Sequence, residues 1–178
     1  SHDSDIIVPT KAVNELGRLL KDQGEVTIRV SHNQVGFDLG DCLLISKLID
    51  GNYPNYRQVI PTETKERIPI EREAFLRAIS RVSLLASDKS NSVKFQFTPG
   101  NVEIVASSPD IGEARETLAI NYRGVPITIA FNPEFTMASL RNLSVDEIHL
   151  HLIDEISPGV LRSGSTFLYV LMPMRVNS

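Results

Sequence analysis

Residues 71–86 read Glu-Arg-Glu-Ala-Phe-Leu-Arg-Ala-Ile-Ser-Arg-Val-Ser-Leu-Leu-Ala. Ala74, Phe75, Ala78, Ile79, Val82 and Leu85 recur at steps of three and four, so one side of a helix is apolar. The opposite side carries Arg77 and Arg81. Ile68-Pro69-Ile70 precedes this helix as a short extended lead-in. Three strand patterns follow it, at 93–97 (VKFQF), 102–106 (VEIVA) and 113–122, with Pro99-Gly100-Asn101 as the clearest turn.

The same order of elements recurs on both sides. Downstream, 125–131 (VPITIAF) is a strand, and Asn132 caps a helix with Pro133 and Glu134 in its first turn, running to about 142. Strands at 148–153, 160–162 and 167–172 close that round. Upstream, 9–22 (PTKAVNELGRLLKD) places Pro9 at a first helical position and Ala12, Leu16, Leu19 and Leu20 at helical spacing, with Gly24 as the stop. Strands at 26–30, 35–39 and 43–49 come next, punctuated by Asn33-Gln34 and Gly40-Asp41. A helix with three following strands therefore appears three times, roughly every sixty residues, too long a period for common solenoid repeats.

Each round has one amphipathic helix and a few antiparallel strands. Two rounds can bury their helices against a shared pair of sheets, which predicts an α+β domain. Three rounds then make one and a half domains. The charged stretch 62–67 (TETKER) lacks apolar periodicity and reads as the linker after the odd round. This predicts half a domain at 5–61 and a complete one at 68–176, in a chain that looks cut.

Composition is ordinary for a globular protein: 178 residues, 42% hydrophobic, 22% charged, net charge −4. No apolar run approaches the roughly 18 residues of a membrane helix, and no secretory signal opens the chain. Ser1-His2 reads as a cloning remnant rather than a native N-terminus. A single cysteine, Cys42, excludes an internal disulfide framework and fits a reducing cytoplasm; its apolar surroundings predict a small buried hydrophobe. The acidic total argues against a molecule that binds nucleic acid over its whole surface, but it leaves the placement of the basic residues open.

Several stretches resemble the bacterial sliding clamp family, the beta subunit of the DNA polymerase III holoenzyme. They are IVPTKAVNEL (7–16), SKLIDGNYPNYRQVIP (46–61), REAFLRAISRVSLLASDKSNSVKF (72–95), FNPEF (131–135) and YVLMPMR (169–175). The resemblance implies a processivity-clamp fold with three domains per subunit, each a pair of the rounds above, and two subunits closed head to tail around duplex DNA. This chain would hold the second half of the middle domain and all of the C-terminal one. It implies no cofactor and no catalytic residue. The family homodimer is not expected for this chain, because the segment matching Leu84 and Leu85 packs on a partner domain that these residues do not include.

The helices of the family line its channel, which makes Lys11, Arg18, Arg77, Arg81 and Arg141 the expected DNA-facing residues. Read without the resemblance, they form a solvated face with ion pairs, since Glu15 and Asp22 lie beside Lys11 and Arg18. Contacts of the first kind go to phosphates and are blind to base sequence. The chain end, 167–172, alternates: Phe167, Tyr169 and Leu171 point one way, Leu168, Val170 and Met172 the other. By resemblance, Val170, Met172, Pro173, Met174 and Arg175 form part of a groove for short linear motifs of polymerase, clamp loader and other replication or repair proteins. Matching positions are Pro54, Gln58 and Val59, then Asn132, Phe135, Ile156 and Pro158. Gln58 stands where the family often has a basic residue, and Pro158 where a small polar one is frequent.

Two other functions compete. One is a stand-alone peptide-binding adaptor that keeps the groove and never encircles DNA. The other is a metal hydrolase using Glu147, His149 and His151, which share one strand face. The polar face of a half-buried strand accounts for the same pattern. Ser163-Gly164-Ser165 lacks the strand–elbow–helix setting of a serine nucleophile, and no phosphate-binding loop or dinucleotide fingerprint is present.

Overall fold

The computed structural model describes residues 5–86 and 91–175. Ser1-His2, and residue 176 of the range 68–176, lie outside them. The chain forms two compact units that divide between Asn55 and Tyr56.

The first unit holds helix α1 (Thr10–Leu19) and strands β1 (Thr27–Val30), β2 (Gln34–Asp38) and β3 (Leu43–Lys47), antiparallel in the order β1-β2-β3. Pro9 is the N-cap of α1, one position ahead of the first helical position read from the sequence, and its ring offers no acceptor to the free amides of the first turn. The helix ends earlier than the pattern 9–22 suggests: Leu20 is already extended, and Lys21 turns away to pair with Asp41 at 2.6 Å. Ala12, Val35 and Phe37 are buried, and Leu16, Leu19 and Leu44 are half-buried. Cys42 lies just ahead of β3 and is also only half-buried, because this unit has little interior to put it in. The strand expected at 26–30 is present as Thr27–Val30, and all four of its residues are exposed.

The second unit begins with a 3₁₀ helix, Tyr56–Val59, and strand β4 (Glu66–Glu71). Helix α2 (Arg72–Val82) follows, continued by a 3₁₀ turn, Ser83–Leu85. Next come β5 (Val93–Thr98), β6 (Asn101–Ser108), β7 (Gly112–Ala119) and β8 (Ile127–Phe131). The last elements are α3 (Pro133–Arg141), β9 (Glu147–Leu152), β10 (Gly159–Ser163) and β11 (Phe167–Leu171). Both helices are capped by side chains that accept from otherwise unpaired amides. Glu71 accepts from Glu73 N and Ala74 N, and Asn132 accepts from Glu134 N with Pro133 at the first turn.

Two four-stranded antiparallel sheets result, β11-β10-β9-β4 and β7-β6-β5-β8. The lead-in strand of each half sits in the other half's sheet: Ile70 pairs with Ile148, and Phe131 with Val93. Within 62–67, read as linker, Glu66 and Arg67 are strand residues opposite Leu152 and His151. Their charged side chains hide the strand from a hydrophobicity pattern, because β4 is an edge strand whose Ile68 and Ile70 alone face the core. That core is common to both halves. Phe75, Phe95 and Phe131 cluster with ring centroids 5.6 and 5.9 Å apart, and Ile148, Leu150 and Leu152 close it from the second sheet. Each such side chain contributes about 1.5–3 kcal/mol through burial.

Candidate functional site

On β11 the alternation read from the sequence separates core from surface. Leu171 is buried, and Tyr169 packs on the core with Phe167 stacked beside it. Leu168 and Met172 are exposed, with Val170 half-buried between them. Beyond β11 the tail crosses to the edge of the other sheet, where Met174 N donates to Ala130 O at 2.8 Å. That bond brings Met172–Arg175 alongside the start of α3, where Asn132 is half-buried and Phe135 is 60% exposed.

A third segment converges on the same place. Gly159 pairs with Leu171 in the sheet and lies so near the Phe131 ring that a Cβ added to it would meet Cζ at 2.7 Å. The loop before it is held by Asp154, whose Oδ1 accepts from Ile156 N at 3.0 Å and Ser157 N at 2.7 Å. These bonds keep the Asp154 carboxyl below its ordinary pKa, the Ser157 contacts and the Ile156 amide being the leading causes. Ile156 is presented almost fully to solvent, and Pro158 is half-buried. Phe135, Ile156 and Met172 are large, exposed and carried by three different segments. Gln58 and Val59 are exposed on the 3₁₀ helix Tyr56–Val59 of the same unit, and Pro54 is exposed in the first unit. Pro173 and Met174 are half-buried and Arg175 is exposed.

Two residues near this surface lie outside the groove set read by resemblance. Leu168 lies on the Val170–Met172 face. Asp154 shapes the loop, and the Asp-x-Ile-Ser-Pro order was its available signal, since aspartate commonly bonds its own backbone two residues on.

The five basic residues are all exposed, but three are engaged. Arg18 pairs with Glu15 at 3.5 Å, Arg77 with Glu73 at 2.9 Å, and Arg81 with both oxygens of Glu116. The Arg81 contact holds the Glu116 carboxyl below its ordinary pKa, hydrogen bonding being the larger cause. Arg141 lies 3.7 Å from Met137 Sδ, and Lys11 projects from the first turn of α1. At the end of α2, Leu84 is 81% exposed and Leu85 half-buried.

The histidine strand is occupied by its neighbours. His149 Nε2 meets Arg67 Nη2 at 3.0 Å and Glu147 at 3.3 Å, and His151 Nδ1 meets Thr64 Oγ1 at 3.1 Å. Burial first, then the Arg162 and Arg67 charges, lowers the His151 pKa. Among the described residues no group of three or more His, Cys, Asp or Glu is placed to hold a metal ion.

A domain whose halves exchange lead-in strands, preceded by a half-domain of the same plan, is a DNA-clamp fold. The DNA polymerase III subunit beta from Pseudomonas aeruginosa superposes with a TM-score of 0.90 at 30% identity, covering 99% of this chain and 50% of that one. One from Bartonella birtlesii, solved with griselimycin bound, gives 0.88 at 36% identity, covering 96% and 47%. The beta sliding clamp of Chlamydia pneumoniae is 33% identical over 99% of this chain and 48% of its own length. The family descriptions "DNA polymerase III beta subunit, central domain" and "C-terminal domain" match residues 1–55 and 57–175. The chain belongs to the bacterial beta sliding clamp family. It spans about half the length of the relatives it matches.

Proposed function

We propose that this chain is the peptide-docking portion of a sliding clamp, a non-catalytic processivity factor that encircles duplex DNA in the cytoplasm as a complete subunit pair. Its part is to hold polymerase, clamp loader and other replication or repair proteins through short motifs, while Lys11, Arg18, Arg77, Arg81 and Arg141 face the DNA backbone. The observation that supports the docking role is that Phe135, Ile156 and Met172, all large and exposed, lie on α3, the loop before Gly159 and the tail, segments tied to one another by the Gly159–Leu171 pairing and the Met174 N–Ala130 O bond. A thioether there adapts to different partner side chains, as a shared docking site requires. Pro54, Gln58, Val59, Asn132, Pro158, Val170, Pro173, Met174 and Arg175 complete the proposed groove.

The test is a titration with a short peptide of glutamine-plus-hydrophobic pattern, followed by backbone NMR. Shifts confined to Val59, Val170, Met172 and the start of α3 support the proposal, and shifts absent from all of them reject it. The adaptor reading gains from the pairing of Arg18, Arg77 and Arg81 with carboxylates, which reduces the free positive charge on the helices. Salt-sensitive binding to duplex DNA separates the two: a clamp segment binds DNA weakly, and an adaptor not at all.

A further inference from the structure

The outer face of the sheet β11-β10-β9-β4 carries a pattern that neither the groove nor the DNA-facing set uses. The register lines up one row of side chains across all four strands. Leu168 on β11 lies opposite Arg162 on β10, Arg162 opposite His149 on β9, and His149 opposite Pro69 on β4. Direct cross-strand partners share a face. His149 stands between the buried Ile148 and Leu150, and Pro69 between the buried Ile68 and Ile70, so the row is turned away from the core.

The row starts apolar and turns basic. Leu168 is 37% exposed and shares its face with Val170 and Met172 of the proposed groove. Arg162 is half-buried beside it. His149 Nε2 meets Arg67 Nη2 at 3.0 Å, which brings a second guanidinium to the row from β4. Three arginines lie on the strands of this unit. Arg115 is held by Glu113 at 2.6 Å and Glu103 at 2.8 Å, whereas no carboxylate among the described residues pairs with Arg67 or Arg162. After burial, the charges of Arg162 and Arg67 are what depress the His151 pKa, so positive potential extends across β9. Glu147 is the carboxylate that touches the row, 3.3 Å from His149 Nε2, and it sits at the start of β9 opposite Glu71.

We propose that Arg162, together with Arg67 held at His149, forms a second docking subsite that takes acidic side chains flanking the hydrophobic anchor of a partner's motif. The inference rests on the docking role of the groove and names the charge its partners carry. Guanidinium forks without an internal acid suit carboxylates, which they can bind through paired hydrogen bonds. The row is continuous with the apolar face of β11, as a flank of a docked peptide requires, while the residues proposed to face DNA lie on the helices. Neighbouring strands lie about 4.8 Å apart, so the basic stretch runs from about 5 to about 14 Å from β11. An extended peptide advances about 3.3 Å per residue, which puts the acidic positions about two to four residues from the anchor.

Fluorescence anisotropy on the 178-residue chain tests this, with labelled peptides of glutamine-plus-hydrophobic pattern. One series carries paired aspartates about two to four residues from the anchor, on its N-terminal or its C-terminal side, and the matched series carries asparagines there. The chain has a net charge of −4 and as a whole repels an acidic peptide, so a gain from aspartate is local in origin. On one of the two sides the aspartate peptide should bind about 3- to 10-fold tighter than its match at ~50 mM salt, and lose most of that gain by ~500 mM. Arg162→Gln should abolish the gain and Arg67→Gln reduce it, while the asparagine peptide still binds. Arg115→Gln removes the same charge from the other sheet and should keep the gain. Equal affinity of the matched peptides overturns the proposal and leaves the docking role of the groove standing. A gain that survives Arg162→Gln combined with Arg67→Gln, or that falls as much in Arg115→Gln, also overturns it. So does duplex DNA binding that Arg162→Gln weakens while the peptide gain persists, which would give the row to phosphates. Failure of both peptides to bind rejects the docking role itself, and this subsite with it.

Discussion

Leu171 and Met172 are neighbours with opposite fates, and truncating each to alanine separates core from groove. Leu171 is 3% exposed and packs in the core cluster. Its replacement leaves a cavity and should cost about 2–5 kcal/mol, a fall in melting temperature of roughly 6–20 °C for a unit of this size. Met172 is 59% exposed, so about two-fifths of its surface is covered. Full burial of a methionine contributes about 1.5–3 kcal/mol, which leaves about 1 kcal/mol or less at stake in Met172→Ala, a shift of only a few degrees. If the exposed thioether is a central anchor, peptide binding should weaken by roughly 5- to 30-fold in the same variant, or about 1–2 kcal/mol. Both quantities are to be read on one protein sample, thermal unfolding by circular dichroism and affinity by fluorescence anisotropy of a labelled peptide. Met172→Ala with a melting loss like that of Leu171→Ala and unchanged affinity would refute the groove, and the Met-Pro-Met ending would be core.

Glu116 ties Arg81 and has a depressed carboxyl pKa, so its stabilising effect is whole above its ordinary value of 4.5 and lost as pH falls through the folded-state value. Glu116→Gln should accordingly flatten the acid side of the stability–pH curve in urea melts, with the two proteins converging once the pH is below the folded-state value. An unchanged acid limb would mean that the pair is immaterial. Binding of duplex DNA should be weak and indifferent to sequence, with a log–log salt slope no steeper than about −4.5 for five cations; a steeper slope or a preferred sequence would contradict the assignment of Lys11, Arg18, Arg77, Arg81 and Arg141. Gly159→Ala should destabilise the second unit by about 1–3 kcal/mol, because its Cβ would sit 2.7 Å from the Phe131 ring and 3.1 Å from Leu152 in a close-packed core. A melting point equal to wild type would show that the loop and ring have room to part.

Periodicity made the helices and most strands legible. Phe75, Ala78, Ile79 and Val82 are buried as their spacing requires, and the phase of β11 places Met172 outside and Leu171 inside. What periodicity could not carry was pairing at a distance. β4 extends into Glu66 and Arg67 because its partner β9 lies far along the chain, and the polar residues on that edge give no apolar signal. Arg81 reads as a free cation until β7 brings Glu116 to it. In the same way, the sequence of β1 alternates like a half-buried strand although its four residues are exposed, since the pattern records the surface a residue suits and not whether that surface is filled. The proposed docking surface was legible only by resemblance: Ile156 and Phe135 lie on elements whose local patterns are ordinary, and the approach of Gly159 to Phe131 and the tail bond at Ala130 join segments remote in sequence.

The exchange of lead-in strands also sets a clock on folding. β4 finds its neighbour only when β9 has been made, roughly eighty residues later, which at ribosomal rates of about 5–20 residues per second is a wait of about 4–16 s. During that interval α2 and β5–β7 can assemble, but Ile68 and Ile70 have no sheet to enter and the Phe75–Phe95 contact lacks its Phe131 lid. Neither half can therefore be finished first. Pairings this remote in sequence make closure slow relative to local helix and hairpin formation, and they concentrate the hazard of misassociation in one late step. A nascent chain of this plan is most exposed to its neighbours on the ribosome just before β8 and β9 emerge.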